Sequence, residues 1–406
     1  MHNRPDVIVV GAGPAGSTAA KLLADGGYGV LLIDRAGFPR HKTCASWINR
    51  LAFERFPYLR AALDELVENP FYGISFYDPK LEREGRFLER RPSGYLSLRS
   101  KFDDGLRRIA VKAGAEFLGG SAVTDVIEDR NEVRVRLRDG REFAAKILVG
   151  ADGASSRVAV AAGLRKGWGE RDVVLCANID VPADSGNVRD FYGERFPFRV
   201  YPEFEGLRGY GWVFPKRRHI CVGIGGWLAD NRQIRPLFSR FFRELQRRGH
   251  LPAGLPEEGA YFDLDPAGAV YRLPSLTKGR VILIGDAAGF VSGTTGEGIY
   301  PGMVSAEVAA SVIHRALGSG GVEQGLARFN EAWRPELGDY VKRLPGGSAE
   351  GKTRGRIEMI YRSGLVARMA GRMFLYGERI SVGTLARSLW PAGRPGRNRA
   401  TPAAPL

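Results

Sequence analysis

Cysteine, histidine and long apolar runs are what this 406-residue sequence has little of: it carries three Cys and five His. Cys44, Cys176 and Cys221 lie far apart, with no CxxC and no Cys/His ligand spacing, which argues against a disulfide framework and a metal centre. No metal is expected. No apolar stretch approaches the ~18 residues that would cross a bilayer, and the first run, Val7–Val10, closes on a glycine turn rather than a cleavage site. The expectation is a cytoplasmic protein. Acidic residues are also in the minority, 45 Asp and Glu against 60 Lys and Arg, for a net charge of +15. The imbalance is local: from Val341 to Arg399 thirteen Lys or Arg stand against three Glu, an excess of ten. Residues 357–375 interleave these bases with Met359, Ile360, Leu365, Val366, Met369, Met373 and Phe374. Such a stretch suits an anionic membrane surface, as peripheral contact, and equally suits a solvated helix packed on the main body. Nothing resembles a nucleic-acid-binding module, so no nucleic acid is expected.

What is present begins at the N-terminus. Val7-Ile8-Val9-Val10 leads into Gly11-Ala12-Gly13-Pro14-Ala15-Gly16, and a second apolar run ends at Asp34. This is a strand, a glycine turn, a helix and a strand. Gly11 permits the tight turn, Gly13 lets a pyrophosphate approach the backbone, and Gly16 lets the helix pack on the sheet, with the helix N-terminus facing the phosphates. Asp34 stands at the distance from which an acid reaches a ribose hydroxyl. No second GxGxxG follows, so one tightly held dinucleotide is the economical reading.

The chain returns to this unit late. Val281-Ile282-Leu283-Ile284 ends in Gly285-Asp286, a loop with Gly293, Gly296 and Gly298 follows, and a helix is predicted from about Gly302. A carboxylate at a strand end accepts hydrogen bonds from a sugar alcohol, and a helix N-terminus favours an electron-rich ring edge. A flavin satisfies both, through its ribityl chain and its reduced ring. Between the two, the loop Phe38 to Ser46 carries Arg40, Lys42 and Cys44 at the carboxyl end of a strand, where parallel sheets place ligands. A helical pattern is expected near Trp47 to Phe56, another from Ser100 with Arg99 just before it, and a third from Pro236 to Arg248.

With GAGPAG and Asp34, GADGASSR at 150–157 and GDAAGFVSGTTGEG at 285–298 in this order, the chain resembles the flavoprotein superfamily of para-hydroxybenzoate hydroxylase and the geranylgeranyl reductases. The FPRHKTC loop, YGWVFPK at 210–216 and TTGEGIY at 294–300 look most like the geranylgeranyl reductase family, whose members saturate double bonds in isoprenoid chains. The resemblance covers roughly residues 5 to 320. It departs from the family pattern at Ala45-Ser46, where glycines are usual, and at Arg208, where a proline is usual; both lie on the substrate side.

The resemblance implies an α/β fold: a Rossmann-type FAD-binding domain from 1–70, 96–171 and 276–320, an inserted mixed β-sheet substrate domain from 71–95 and 172–275, and a C-terminal helical region from 321 to 406 with a basic tail, expected to be disordered, from about 391. It implies FAD contacts at Gly11, Gly13, Ala15, Gly16, Asp34, Arg35, Lys42, Cys44, Arg99, Val123, Asp152, Gly153, Gly285, Asp286, Gly296 and Gly298. Cys44 would approach the reactive face of the ring, and Tyr210 and Trp212 would line a substrate cavity or else be core aromatics of the sheet. Cys44, Tyr210, Trp212 make up the candidate catalytic set, with Cys44, Tyr210 or a held water as proton donor. The expected substrate is a hydrophobic small molecule or lipid, and the expected electron source NAD(P)H or a ferredoxin-type donor. The rival readings are a monooxygenase or halogenase on the same scaffold, and an electron carrier to a quinone or protein partner.

Overall fold

A computed structural model describes residues 4–231, 233–257, 259–342 and 358–378. Its first layer is a six-stranded sheet built around β1 (Val7–Val10), which pairs in parallel with β2 (Val30–Ile33) on one side and with Ile147–Gly150 on the other. Glu116–Leu118 extends the β2 edge, while Val281–Leu283 and Thr277–Lys278 extend the opposite edge. β1 and β2 are buried at every position, which is why they read as unbroken Val, Ile and Leu rather than alternating. Helix α1 (Pro14–Asp25) packs between the helices Arg99–Lys112 and Ile299–Gly318 through the small residues Ala15, Ala19 and Ala20. A three-stranded antiparallel sheet, Val123–Glu128, Val133–Leu137 and Glu142–Ala145, attaches to this unit.

The second large sheet has seven strands in the order Tyr261–Asp265, Val174–Pro182, His219–Trp227, Gly209–Pro215, Phe198–Pro202, Gly73–Tyr77 and Glu84–Leu88. It is mixed, because Phe198–Pro202 runs parallel to Gly73–Tyr77 and the other neighbours are antiparallel. The helix Ile234–Arg247 buries Phe238, Phe241, Phe242 and Leu245 against one face. On the other face Trp47, Phe71, Phe76, Phe198, Trp212 and Phe214 form an aromatic core.

The structure differs from the predicted helix near Trp47 to Phe56. Trp47–Asn49 is a strand paired with Gly94–Leu96, and the helix spans Arg50–Arg55. Asn49 sets that boundary, since its Oδ1 accepts from the Leu51 amide at 3.0 Å as an N-cap. Arg99 opens its helix rather than preceding it.

The C-terminal helices divide between the two layers. Val322–Ala327 and Arg334–Val341 pack on Ile299–Gly318, whereas Gly364–Tyr376 packs on Gly73–Tyr77 and Glu84–Leu88. Ala367, Ala370, Gly371 and Leu375 are buried there, and Gly371 is required because a Cβ would overlap the Phe87 ring at 2.5 to 2.9 Å. The apolar face of this helix therefore covers the second sheet. Ile357 and the basic tail from 391 lie outside the described residues. Among the described residues no helix is long and apolar enough to cross a membrane.

Candidate active site

The glycine turn is built for close approach. Gly11 takes φ +104°, and a Cβ there would overlap the Ala151 carbonyl; a Cβ on Gly16 would overlap the Gly11 carbonyl. At Gly13 the same substitution would meet only the tips of Arg40 and Arg99, at 3.8 and 3.9 Å, so this position faces open space with two guanidinium groups above it. α1 has no side-chain cap, and Pro14 stands in its first turn. Its free amide groups and the two arginines make a site for a diphosphate. Asp34, 6% exposed, accepts from the Ala12 amide at 2.7 Å through Oδ2 and from the Ala36 amide at 2.9 Å through Oδ1.

This turn opens on a cavity of about 730 Å³. Asp34, Arg35, Val123, Asp152 and Gly153 line it together with Gly13, Ala15, Arg99, Lys42, Cys44, Gly285, Asp286, Gly296 and Gly298. Every expected cofactor residue except Gly16 lines it, and Gly16 instead holds α1 against the turn. The oxygens of Asp152 accept from the Ser156 hydroxyl and from the amides of Arg157 (2.6 Å) and Val158 (3.1 Å), so this carboxylate organises the helix Arg157–Ala161. The two distant motifs touch: a Cβ on Gly285 would lie 2.8 Å from that of Ala15. FAD fits this arrangement: Asp34 and Asp286 would offer acceptors to its ribose and ribityl hydroxyls, and the Gly13 turn with Arg40 and Arg99 would offer donors to its diphosphate.

Charge is balanced within the cavity wall. Arg99 forms a bidentate pair with Asp103 (2.7 and 2.8 Å), which Arg40 joins at 3.1 Å. Burial opposes the Arg99 charge, but Asp103 and then Cys44 outweigh it and hold the guanidinium protonated. Lys42 pairs with Asp263 at 2.9 Å, tying the Phe38 to Ser46 loop to the second sheet. Burial and Arg99 oppose the Lys42 charge, but Asp263, Asp286 and Asp265 together raise its pKa. Burial raises the Asp286 carboxyl, while Lys42 and Arg99 pull it back.

A second cavity, of about 140 Å³, adjoins the first and shares Cys44, Asp263, Asp265, Gly296, Gly298 and Ile299 with it. Tyr210, Trp212, Trp47 and Cys176 line it, so Tyr210 and Trp212 are cavity residues as well as part of the aromatic core. Trp212 lies flat on the strand His219–Trp227, where a Cβ on Gly223 would overlap its indole. The Tyr210 hydroxyl donates to the Thr295 carbonyl, which commits its proton to the loop. Cys44 Sγ accepts from the Ser46 amide at 3.3 Å.

Asp263, Asp265 and Glu297 were missed in the sequence. Asp263 and Asp265 alternate with Phe262 and Leu264, so period two places both on one face of a strand. Glu297 was visible inside TTGEGIY; it is buried, accepting from the Tyr300 amide at 2.7 Å and the Tyr340 hydroxyl at 2.8 Å. Burial pushes its carboxyl up to about 7.

A glycine turn with free amides and two arginines, two acids lining one cavity and a second cavity adjoining it are the features of an FAD-dependent oxidoreductase. The chain belongs to the FAD binding domain family, whose model matches residues 4–342. It is 30% identical over 352 residues to a menaquinone reductase of Mycolicibacterium smegmatis, covering 84% of this chain and 82% of that protein. It is 31% identical over 360 residues to a digeranylgeranylglycerophospholipid reductase of Methanocella arvoryzae, covering 83% and 85%. In fold it is similar to a geranylgeranyl bacteriochlorophyll reductase-like protein from Thermoplasma acidophilum, with a TM-score of 0.74, 22% identity and coverage of 95% and 96%.

Proposed function

We propose that this protein saturates carbon–carbon double bonds in the prenyl chain of a lipid or quinone. The observation that carries this reading is the shared wall: Cys44, Gly296, Gly298 and Ile299 belong both to the cofactor cavity and to the cavity beneath Tyr210 and Trp212. When bound, FAD supplies the hydride. The chain's own residues hold and orient the partner. Trp47, Trp212 and Val174 offer apolar surface to an isoprene unit, and each CH₂ buried there contributes about 0.8 kcal/mol. Several isoprene units outweigh any one polar contact, so a chain rather than a headgroup determines binding. The names of the two reductase relatives support a prenyl-bearing substrate.

The electron donor in this reading is NAD(P)H or a ferredoxin-type protein. In this reading the enzyme is cytoplasmic, and the excess of ten positive charges between Val341 and Arg399 supports contact with an anionic membrane surface.

Purified protein is reduced with NADPH or dithionite and incubated with menaquinone or an unsaturated archaeal-type diether lipid, with and without air. A gain of two mass units per double bond is expected without oxygen uptake. A gain of sixteen identifies a monooxygenase, and turnover with only a quinone headgroup or protein acceptor identifies an electron carrier.

A further inference from the structure

The cavity wall contains a thiol and a carboxyl group in contact. The Cys176 thiol donates to Asp265 Oδ2 at 3.3 Å, across the antiparallel pair Val174–Pro182 and Tyr261–Asp265. Cys176 stands opposite Asp263 in this register, so Asp263 and Asp265 share its face of the sheet. Behind the thiol is Gly225, where a Cβ would sit 3.0 Å from Sγ, so the backbone makes room for sulfur at this point. Cys176 lines the substrate cavity, and Asp265 lines that cavity and the cofactor cavity together.

Of the other candidate donors, Tyr210 has its proton committed and the Cys44 sulfur accepts. Tyr210 donates to Thr295, and Cys44 Sγ lies beside the Ser46 amide and the Arg99 guanidinium. Asp263 is paired with Lys42, whereas among the described residues Asp265 has no cation within 4.0 Å. The charged and titratable groups around it are Lys42 and Cys44 from the loop, Asp263 on its own strand, Cys176 and Tyr210 on the sheet, and Asp286 from the opposite wall. Burial, opposed by Lys42 and assisted by Asp286 and Asp263, raises the Asp265 carboxyl to about 6. An apolar chain that displaces water from the cavity moves it further in the same direction.

We propose that Asp265 and Cys176 form the proton route of the reduction, with Asp265 as the acid and Cys176 as the relay to the substrate carbon. This rests on the reductase reading. Saturation breaks one π bond and forms two C–H bonds, taking one hydride and one proton. The hydride brings both electrons from the reduced cofactor. Once Asp265 is protonated its O–H donates to Sγ and the S–H turns to the substrate; the proton leaves Cys176, whose S–H bonding pair stays on sulfur, and the Asp265 O–H proton replaces it. Water in the cavity then returns a proton to the Asp265 carboxylate. Cys176 is the catalytic residue of this pair, and Asp265 acts through it.

Two measurements on the full chain test the route. Iodoacetamide labelling of Cys176, resolved by peptide mass, reports the coupling without turnover. Removing the neighbouring carboxylate in Asp265→Asn lowers the thiol pKa, and labelling at pH 8 accelerates about tenfold for each unit. Anaerobic single turnover of the pre-reduced protein with menaquinone, followed by the two-mass-unit gain on the prenyl chain rather than by flavin oxidation, reports the chemistry. The wild-type rate falls as pH rises above about 6, and in Asp265→Asn and Cys176→Ala it drops about 10²-fold and loses that pH dependence. Variants that keep the wild-type rate and pH profile, or unchanged labelling in Asp265→Asn, overturn the route. A wild type that adds no two-mass-unit increment to any prenyl substrate overturns the reductase reading with it, whereas a working wild type beside a fully active Cys176→Ala overturns the route alone.

Discussion

The backbone amide of Ala12 donates to the Asp34 carboxylate at 2.7 Å, closing the glycine turn onto the end of β2. One side chain thus shapes the turn and lines the cofactor cavity. In Asp34→Ala the Ala12 amide loses its partner, at a cost of about 1–3 kcal/mol. FAD titration of the apoprotein by fluorescence is expected to show a Kd raised about 10- to 100-fold. An unchanged Kd removes Asp34 from the site.

Two glycine substitutions separate crowding from backbone strain. Gly27→Ala at φ +83° meets no atom within 4 Å, so it carries only the left-handed penalty of about 1–2 kcal/mol. Gly16→Ala drives a methyl group into the Gly11 carbonyl and displaces α1 from the turn. The first variant is expected to purify yellow with a modest drop in Tm. The second is expected to lose its 450 nm flavin absorbance, and equal flavin content in both contradicts the packing argument.

Glu297 makes stability depend on pH in a defined direction. Its carboxyl is raised by burial from 4.5 to about 7, against the Tyr300 amide and the Tyr340 hydroxyl. A raised acid stabilises the fold fully below 4.5 and loses that contribution as pH climbs through 7, an effect of about 3 kcal/mol. Comparing Tm of wild type and Glu297→Gln between pH 5 and 8, the wild type is expected to lose ground to the variant as pH rises. Parallel curves exclude a buried protonated Glu297.

Gly223 determines where the Trp212 indole rests, because any Cβ there occupies the ring's place. Gly223→Ala is expected to tilt Trp212 into the substrate cavity and lower kcat/KM for long prenyl substrates about tenfold or more, with the flavin spectrum preserved. Equal loss for short and long substrates assigns Trp212 to the core alone.

Local motifs made the cofactor cradle readable. Gly11, Gly13 and Gly16 announce a turn within six residues, and Gly285-Asp286 announces the return to the same sheet, because close approach demands glycine wherever it occurs. Trp47–Asn49 was misread because its strand character comes from pairing with Gly94–Leu96, forty-odd residues on. The Cys176 and Asp265 contact was equally hidden, being created by a register between strands almost ninety residues apart. For the C-terminal helix, sequence showed an apolar face and structure showed its partner, the Gly73–Tyr77 and Glu84–Leu88 strands.

The closeness of Ala15 to Gly285 means that the cavity wall is completed only by residues late in the chain. A chain that stops short of Val281 has the glycine turn without the opposite wall, and its sheet lacks the Val281–Leu283 strand. Truncations that end before Val281 are therefore expected to purify without flavin absorbance.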